Sequence, residues 1–180
     1  VTAGPTREPL DDVRFFTNPS TGRMGNAIAE AALRRGGSVV LITGPTCLAP
    51  PEGVRTITVM TARDMLQATL KEAPTADLIY MAAAVSDYSP ISPLRGKPPK
   101  EDLGDTLTVQ LTRNADILAK LGATKRPGQV VIGFAAEWGK PDPIRIRRKL
   151  TQKGVSALFV NDVSRKDVGF AAEMNEGWWL

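Results

Sequence analysis

The chain has 180 residues, of which 42% are hydrophobic and 23% charged, and a formal net charge of +4 at pH 7. That length supports one sizeable core, and the composition excludes a disordered or fibrous chain. With no His and a single Cys, Cys47, a Ser-His-Asp triad, a His-based metal site and an internal disulfide framework are all excluded.

No apolar run of about 18 residues and no signal peptide is visible, so no membrane contact and a reducing, cytoplasmic location are expected. The basic residues fall in short groups at 34–35, 95–100 and 145–153, with no aromatic platform between them. Small polyanionic substrates explain such a bias, and no nucleic-acid partner is expected. The chain opens inside a strand pattern and stops at Trp178-Trp179-Leu180, so a piece of a longer protein is expected.

Residues 1–5 read as the end of a first strand turning at Gly4-Pro5, and residues 5–21 as a long polar loop. Residues 24–35 follow as an Ala-rich helix stopped by Gly36-Gly37. Strands are expected at 38–43 and 54–59. Thr61, with Asp64 three residues on, forms a capping-box variant that starts a helix reaching about residue 72. The apolar run 77–82 suits a strand buried on both faces. A Pro-rich basic segment at 89–100 precedes an alternating strand at 106–111 and a short helix at 116–121. Residues 130–134 form another buried strand, 142–153 a basic helix and 155–160 a strand, and the tail after Asn175 adds one more.

Alternating strands and helices predict one domain over 1–180, an α/β, Rossmann-like three-layer fold with a mostly parallel sheet and helices on both faces. Ligands in such sheets bind beyond the carboxyl ends of the strands, where the polar punctuation falls after Ala3, Ala82, Phe134 and Val160. A dinucleotide fingerprint fails, because a long insertion separates the first strand from Gly22-x-x-Gly25 and no acid closes the second strand. No P-loop pattern occurs either.

The stretch NPSTGRMG, residues 18–25, feeds the first helix. Its N-terminus suits phosphate or carboxylate oxygens, and Ser20 and Thr21 either cap the helix or touch an anion, with Gly22 and Gly25 allowing close approach. Asn18 either holds a carboxylate or acyl group through its amide or turns the loop ahead of Pro19. Arg14 is either a bidentate anion ligand or a surface charge. Residues 82–84, all Ala, allow backbone to meet a base or sugar, or else pack strand on helix. Asp87 suits a nucleotide or a cation on its phosphates. Lys97 and Lys100 form a phosphate-neutralising lid or plain surface charges. Lys149 and Lys153 share a helix face; Phe134 is most simply core, and Glu137 and Asp162 are structural.

Taken together, TAGPTREPLDDVRF (2–15), NPSTGRMG (18–25), AAAVSDY (82–88), KPPK (97–100), RNADIL (113–118), GFAAE (133–137) and a K-x-x-x-K before NDVS (149–164) resemble the phosphopantothenoylcysteine synthetases. These form the synthetase half of a bacterial bifunctional coenzyme A biosynthesis protein. The resemblance implies a ligase that joins 4'-phosphopantothenate to L-cysteine through an acyl-cytidylate, with CTP as co-substrate and Mg²⁺ on its triphosphate near Asp87. ATP in place of CTP, or a non-catalytic nucleotide-binding module, are the alternatives. The resemblance further implies a homodimer, formed in part through an extended arm, and a decarboxylase domain fused N-terminally. Carried over by position, Asn18, Arg14, Ala84 and the lid lysine Lys97 match residues that bind or turn over the intermediate. Ala82, Ala83, Asp87, Lys97, Ala115, Asp116, Ile117, Phe134, Lys149 and Lys153 match the nucleotide site, and Ser20, Thr21 and Gly22 the phosphate and substrate loop. The chain departs from the pattern at Arg23, where Lys is common, at Pro98-Pro99 inside the lid motif and at Trp138 after Glu137.

Overall fold

The structure is a computed structural model of the chain and describes residues 1–165 and 174–180. Its central sheet has seven strands: β1 (Thr2–Ala3), β4 (Val40–Thr43), β5 (Arg55–Thr58), β6 (Leu78–Met81), β9 (Val130–Glu137), β10 (Ala157–Asp162) and β11 (Gly177–Trp179). They lie in the order β11-β10-β9-β6-β1-β4-β5. Every pairing is parallel except that of β11 with β10. Two antiparallel hairpins stand outside this sheet: β2 (Arg7–Pro9) with β3 (Phe15–Thr17), and β7 (Tyr88–Pro90) with β8 (Leu111–Arg113).

The period-2 alternation of β4 shows how the layers form. Leu41 packs with Ala29, Leu33 and Ala3 under α1 (Arg23–Arg34). Its neighbour Ile42 joins the larger core on the opposite face. There Met65 of α2 (Ala62–Glu72), Leu121 of α4 (Ile117–Thr124) and Ile146 of α5 (Pro143–Lys153) cover Ile79, Val131, Leu158 and Val160. Helices therefore cover both faces, and the expected three-layer fold is present. On the β9–β11 half an aromatic ladder accompanies the strands: Phe134 to Phe159 at 5.5 Å and Phe159 to Trp179 at 5.1 Å between ring centroids.

The Thr61 capping box forms as expected, with Asp64 N donating to Thr61 Oγ1 at 3.1 Å and Thr61 N donating to Asp64 Oδ2 at 3.0 Å. Other expectations are corrected. Residues 5–21 contain the β2–β3 hairpin, because Asp11 supplies the turn that alternation alone does not reveal. Residues 106–110 pair with nothing regular, and the strand begins at Leu111, where β7 offers a partner. Leu78 opens β6 at 44% exposure, so that strand is buried only from Ile79 onward. β9 continues through Ala135, Ala136 and Glu137, because β10 pairs with it along that whole length. A short helix, α3 (Lys100–Leu103), follows the Pro-rich segment.

The chain runs outward from β1 to β4 and β5, then crosses back to β6, β9 and β10. This reversal beside β1 opens a crevice at the carboxyl ends of β1 and β6. Gly25 lets α1 lie close against β1 at that point: a Cβ there would stand 2.4 Å from Ala3 Cβ and 2.7 Å from Thr2 O. Gly25→Ala is expected to cost about 1–3 kcal/mol through overpacking. Differential scanning calorimetry would record this as a Tm lower by at least about 3 °C.

Candidate active site

The crevice is a cleft of about 760 Å³ whose described lining comes from seven separated stretches of the chain. The loop of residues 18–25 forms one wall with the start of α1. Gly22 is the N-cap residue of that helix, its φ of 79° is the left-handed conformation glycine accommodates, and it carries no side-chain cap. Ser20 Oγ accepts instead from Gly22 N at 3.3 Å, and Thr21 Oγ1 from Arg23 N at 3.4 Å. Both hydroxyls thus brace the turn just ahead of the helix, and both residues line the cleft. First-turn N–H groups lack intrahelical acceptors, so this end of α1 favours an anion.

The segment 82–87 forms the facing wall, pinned at Ala83, Ala84 and Ser86 by every second residue of the end of β1 and the loop after it. Thr2 Oγ1 accepts from Ala83 N at 3.1 Å, Gly4 O from Ala84 N at 2.9 Å, and Thr6 Oγ1 from Ser86 N at 3.0 Å. Thr2 and Thr6 are buried, so these bonds are made in a dry environment. Asn18 ties the two walls together. Its Nδ2 donates to Ala84 O at 3.2 Å and to Val85 O at 3.3 Å, leaving Oδ1 without an intramolecular bond among the described residues. Two carbonyl neighbours fix the amide orientation, because only the NH₂ end donates.

Residues 113–118 and the α5 face close the cleft. Asp116 caps α4, its Oδ1 accepting from Ala119 N at 2.9 Å, and it pairs with Lys153. Lys149 Nζ donates to Glu137 Oε1 at 3.0 Å while Arg145 takes Oε2 at 2.8 Å. Burial lowers the Lys153 pKa first and the nearby Arg113 adds to this, while Asp87 pulls it back up. Phe134 is half-buried and lines the cleft from the aromatic ladder, so it is more than core. Asp162 behaves as the expected turn residue, accepting from Gly139 N and from Ser164 N and Oγ. The Ser164 hydroxyl is the main cause of its lowered pKa.

Of the residues singled out in the sequence, the cleft gathers Asn18, Ser20, Thr21, Gly22, Ala82, Ala83, Ala84, Asp87, Ala115, Asp116, Ile117, Phe134, Lys149 and Lys153. Arg14 and Lys97 lie outside its lining. Arg14 pairs with the buried Asp11 at 2.5 Å at the hairpin tip. The lid segment is tethered to that same tip: Leu94 N donates to Leu10 O at 2.9 Å and Gly96 N to Asp12 Oδ2 at 2.8 Å, and Lys97 is exposed beside them. Among the described residues no cluster of three His, Cys, Asp or Glu side chains is placed to hold a metal. No helix among them is long and apolar enough to cross a membrane.

Two residues escaped the sequence reading. Asn114 donates from Nδ2 to Ser86 O at 2.9 Å, accepts from Ser89 Oγ at 2.8 Å, and its N–H reaches Asp87 O at 2.8 Å. It locks two walls together, and its place inside RNADIL was the available signal. Glu137 was read as structural, yet it also steers Lys149 toward the cleft.

Hydrogen bonds from the Arg14 backbone N–H, then from its side chain and the Val13 N–H, hold the Asp11 carboxyl down at about 2 against an ordinary 3.8. The folded state favours the carboxylate, so its stabilisation is fully present above the ordinary value and disappears as pH falls through about 2. An NMR titration of the Asp11 side-chain carbonyl is expected to show a midpoint near 2. In Asp11→Asn the Arg14 resonances should lose their dependence on pH in that window.

A model of the DNA/pantothenate metabolism flavoprotein C-terminal domain matches residues 1–180. The chain is 43% identical, over 97% of its length, to the coenzyme A biosynthesis bifunctional protein CoaBC of Bacillus subtilis, covering 42% of that relative. It is 40% identical, again over 97% of its length, to CoaBC of Escherichia coli K12, covering 43%. The chain therefore spans less than half the length of these curated relatives. The crystal structure of the C-terminal domain of a CoaBC protein superposes with a TM-score of 0.77 at 38% identity, over 99% of this chain and 83% of that one. Motif order, fold and full-length match agree: the chain belongs to the DNA/pantothenate metabolism flavoprotein C-terminal domain family.

Proposed function

We propose that the chain is the synthetase part of a coenzyme A biosynthesis protein, ligating 4'-phosphopantothenate to L-cysteine at the expense of CTP. The observation that carries this reading is the convergence of Asn18, the 82–87 wall, residues 115–117, Phe134, Lys149 and Lys153 on one cleft. That cleft combines a helix N-terminus, lysines and exposed backbone groups, the equipment for a phosphorylated acid and a nucleoside triphosphate.

In the first step a carboxylate oxygen of the acid attacks the α-phosphorus of CTP. The bond to the bridging oxygen breaks, pyrophosphate leaves with the electron pair, and a mixed acyl-phosphate anhydride remains. In the second step the cysteine amine attacks the acyl carbon and sheds a proton to water while the C–O bond to CMP breaks. Neither step needs a covalent bond to the protein, so positioning and charge compensation are its whole task. With both hydrogens of Asn18 engaged on Ala84 O and Val85 O, its Oδ1 is the atom left for substrate. An acceptor there suits the N–H of the incoming amine. Lys149 and Lys153 would compensate phosphate charge, and Lys97 would join them only if the tethered lid closes over the cleft. Asp87, a carboxylate lining the cleft, would help hold Mg²⁺, which when bound would supply charge neutralisation.

More than half of each of these relatives lies outside the matched part, so a decarboxylase domain fused ahead of this one belongs to the proposal, as does a cytoplasmic location. The proposed homodimer has a candidate surface in the exposed Val13, Phe15, Phe16, Ile91 and Leu111 on and beside the two hairpins.

The purified chain is expected to release pyrophosphate from CTP only when 4'-phosphopantothenate is present, and ATP should compete poorly; no release alongside an active relative would end the ligase reading. Asn18→Asp places a carboxylate against two carbonyl oxygens and forfeits both bonds. Rapid-quench kinetics should then show a burst of pyrophosphate with amide formation slowed by about a hundredfold or more. Normal overall turnover in that variant would remove Asn18 from the second step. Lys97→Gln is expected to slow the first step alone, and an unchanged burst rate would leave that lysine a bystander.

A further inference from the structure

The cations of the cleft are not equally occupied. Lys149 is held by Glu137, and Lys153 by Asp116, which also caps α4. Arg113 lines the same cleft, yet its guanidinium has no hydrogen-bond or ion-pair partner among the described residues. Its position is nonetheless fixed. It ends β8 directly opposite Tyr88, and the next residue, Asn114, is clamped by Ser86 O, Ser89 Oγ and Asp87 O. The guanidinium therefore stands on a rigid hairpin end beside the cleft wall that carries Asp87.

Arg113 also faces a like charge. After burial, its proximity is the next cause that pushes the Lys153 ammonium toward its neutral form. The two cations line one cleft from separate elements, β8 and α5, and like charges sharing a cleft repel. An oxyanion between them turns that repulsion into two attractions. A planar guanidinium, with its fork of donors, fits two oxygens of one phosphate, whereas an ammonium supplies a point charge.

We propose that Arg113 and Lys153 form a phosphate-binding pair, Arg113 holding a phosphate through two N–H donors and Lys153 supplying the second charge. This depends on the ligase reading only for the source of the phosphate, the polyphosphate of a nucleotide or the monoester of the acid. The pair places the ligand's phosphate against β8 and α5, elements other than the N-terminus of α1 that also lines the cleft.

The test is isothermal titration of the 180-residue chain with inorganic pyrophosphate and, separately, with 4'-phosphopantothenate. The native chain should bind at least one of them, and Arg113→Gln should weaken that one by about tenfold or more. Arg113→Lys should recover only part of the loss, since it keeps the charge and loses the fork. Loss confined to the pyrophosphate arm assigns the pair to the nucleotide; loss confined to the other arm assigns it to the acid's monoester. Arg113 is exposed, so Arg113→Gln should keep the native Tm, and this separates lost binding from lost folding. Unchanged binding of both anions in Arg113→Gln, or no binding of either by the native chain, overturns the proposal. A chain that binds pyrophosphate through Arg113 yet releases none from CTP upholds the pair and removes the ligase reading instead.

Discussion

The cleft depends on one set of bonds, those that fasten the segment 82–86 to the end of β1 and the loop beyond it. Thr2, Gly4 and Thr6 each accept one backbone N–H from that segment, and Asn18 returns two donors to its carbonyls. A parallel bridge between Pro5 and Ala84 completes the seam. Each bond contributes about 1 kcal/mol net, but an unpaired group at these buried positions would cost more than that. The seam therefore gives the wall one conformation, and the small side chains at 82–84 leave its backbone open to a ligand. Gly22 and Gly25 bring α1 in from the other side, where side chains would collide with Gly4, Thr46 or Ala3.

Charge in the cleft is arranged in the same indirect way. Glu137 holds Arg145 and Lys149 together, and Asp116 serves both α4 and Lys153. These carboxylates limit the repulsion among the cations while keeping them at the cleft. Arg113 is left to respond to whatever anion enters. A site built this way is suited to hold an anion by position and charge, as the proposed reaction, whose bonds form between substrates alone, would require.

The fold was largely legible in the sequence, because buried parallel strands announce themselves as apolar runs and Thr61 with Asp64 announces a helix start. What misled was local. The hairpin inside residues 5–21 rests on Asp11 accepting two backbone N–H groups and the Arg14 side chain, a three-dimensional turn with no periodicity to betray it. Residues 106–110 alternate like a strand, but β7 is only three residues long, and a single bond from Ile91 N to Gln110 O continues its pairing beyond Leu111. Arg14 and Lys97 keep the roles proposed for them; they stand at the hairpin tip and on the segment tethered to it, outside the lining of the cleft.

The sequence by itself determined the family, the order of its motifs, the alternation that makes a parallel sheet and the chemical type of residue at each candidate position. Chain order and side-chain identity are enough for those, since periodicity and turn chemistry act over a few residues. Only the tertiary structure decided which groups face one another. Asn18 meets Ala84 across 66 residues of chain, and Asn114 meets Ser86 across 28. Bonds at such separations depend on strand order and crossover, which bring the carboxyl ends of β1 and β6 side by side. The Oδ1 of Asn18 and the guanidinium of Arg113, both without a partner among the described residues, follow from those pairings, and no local pattern encodes them.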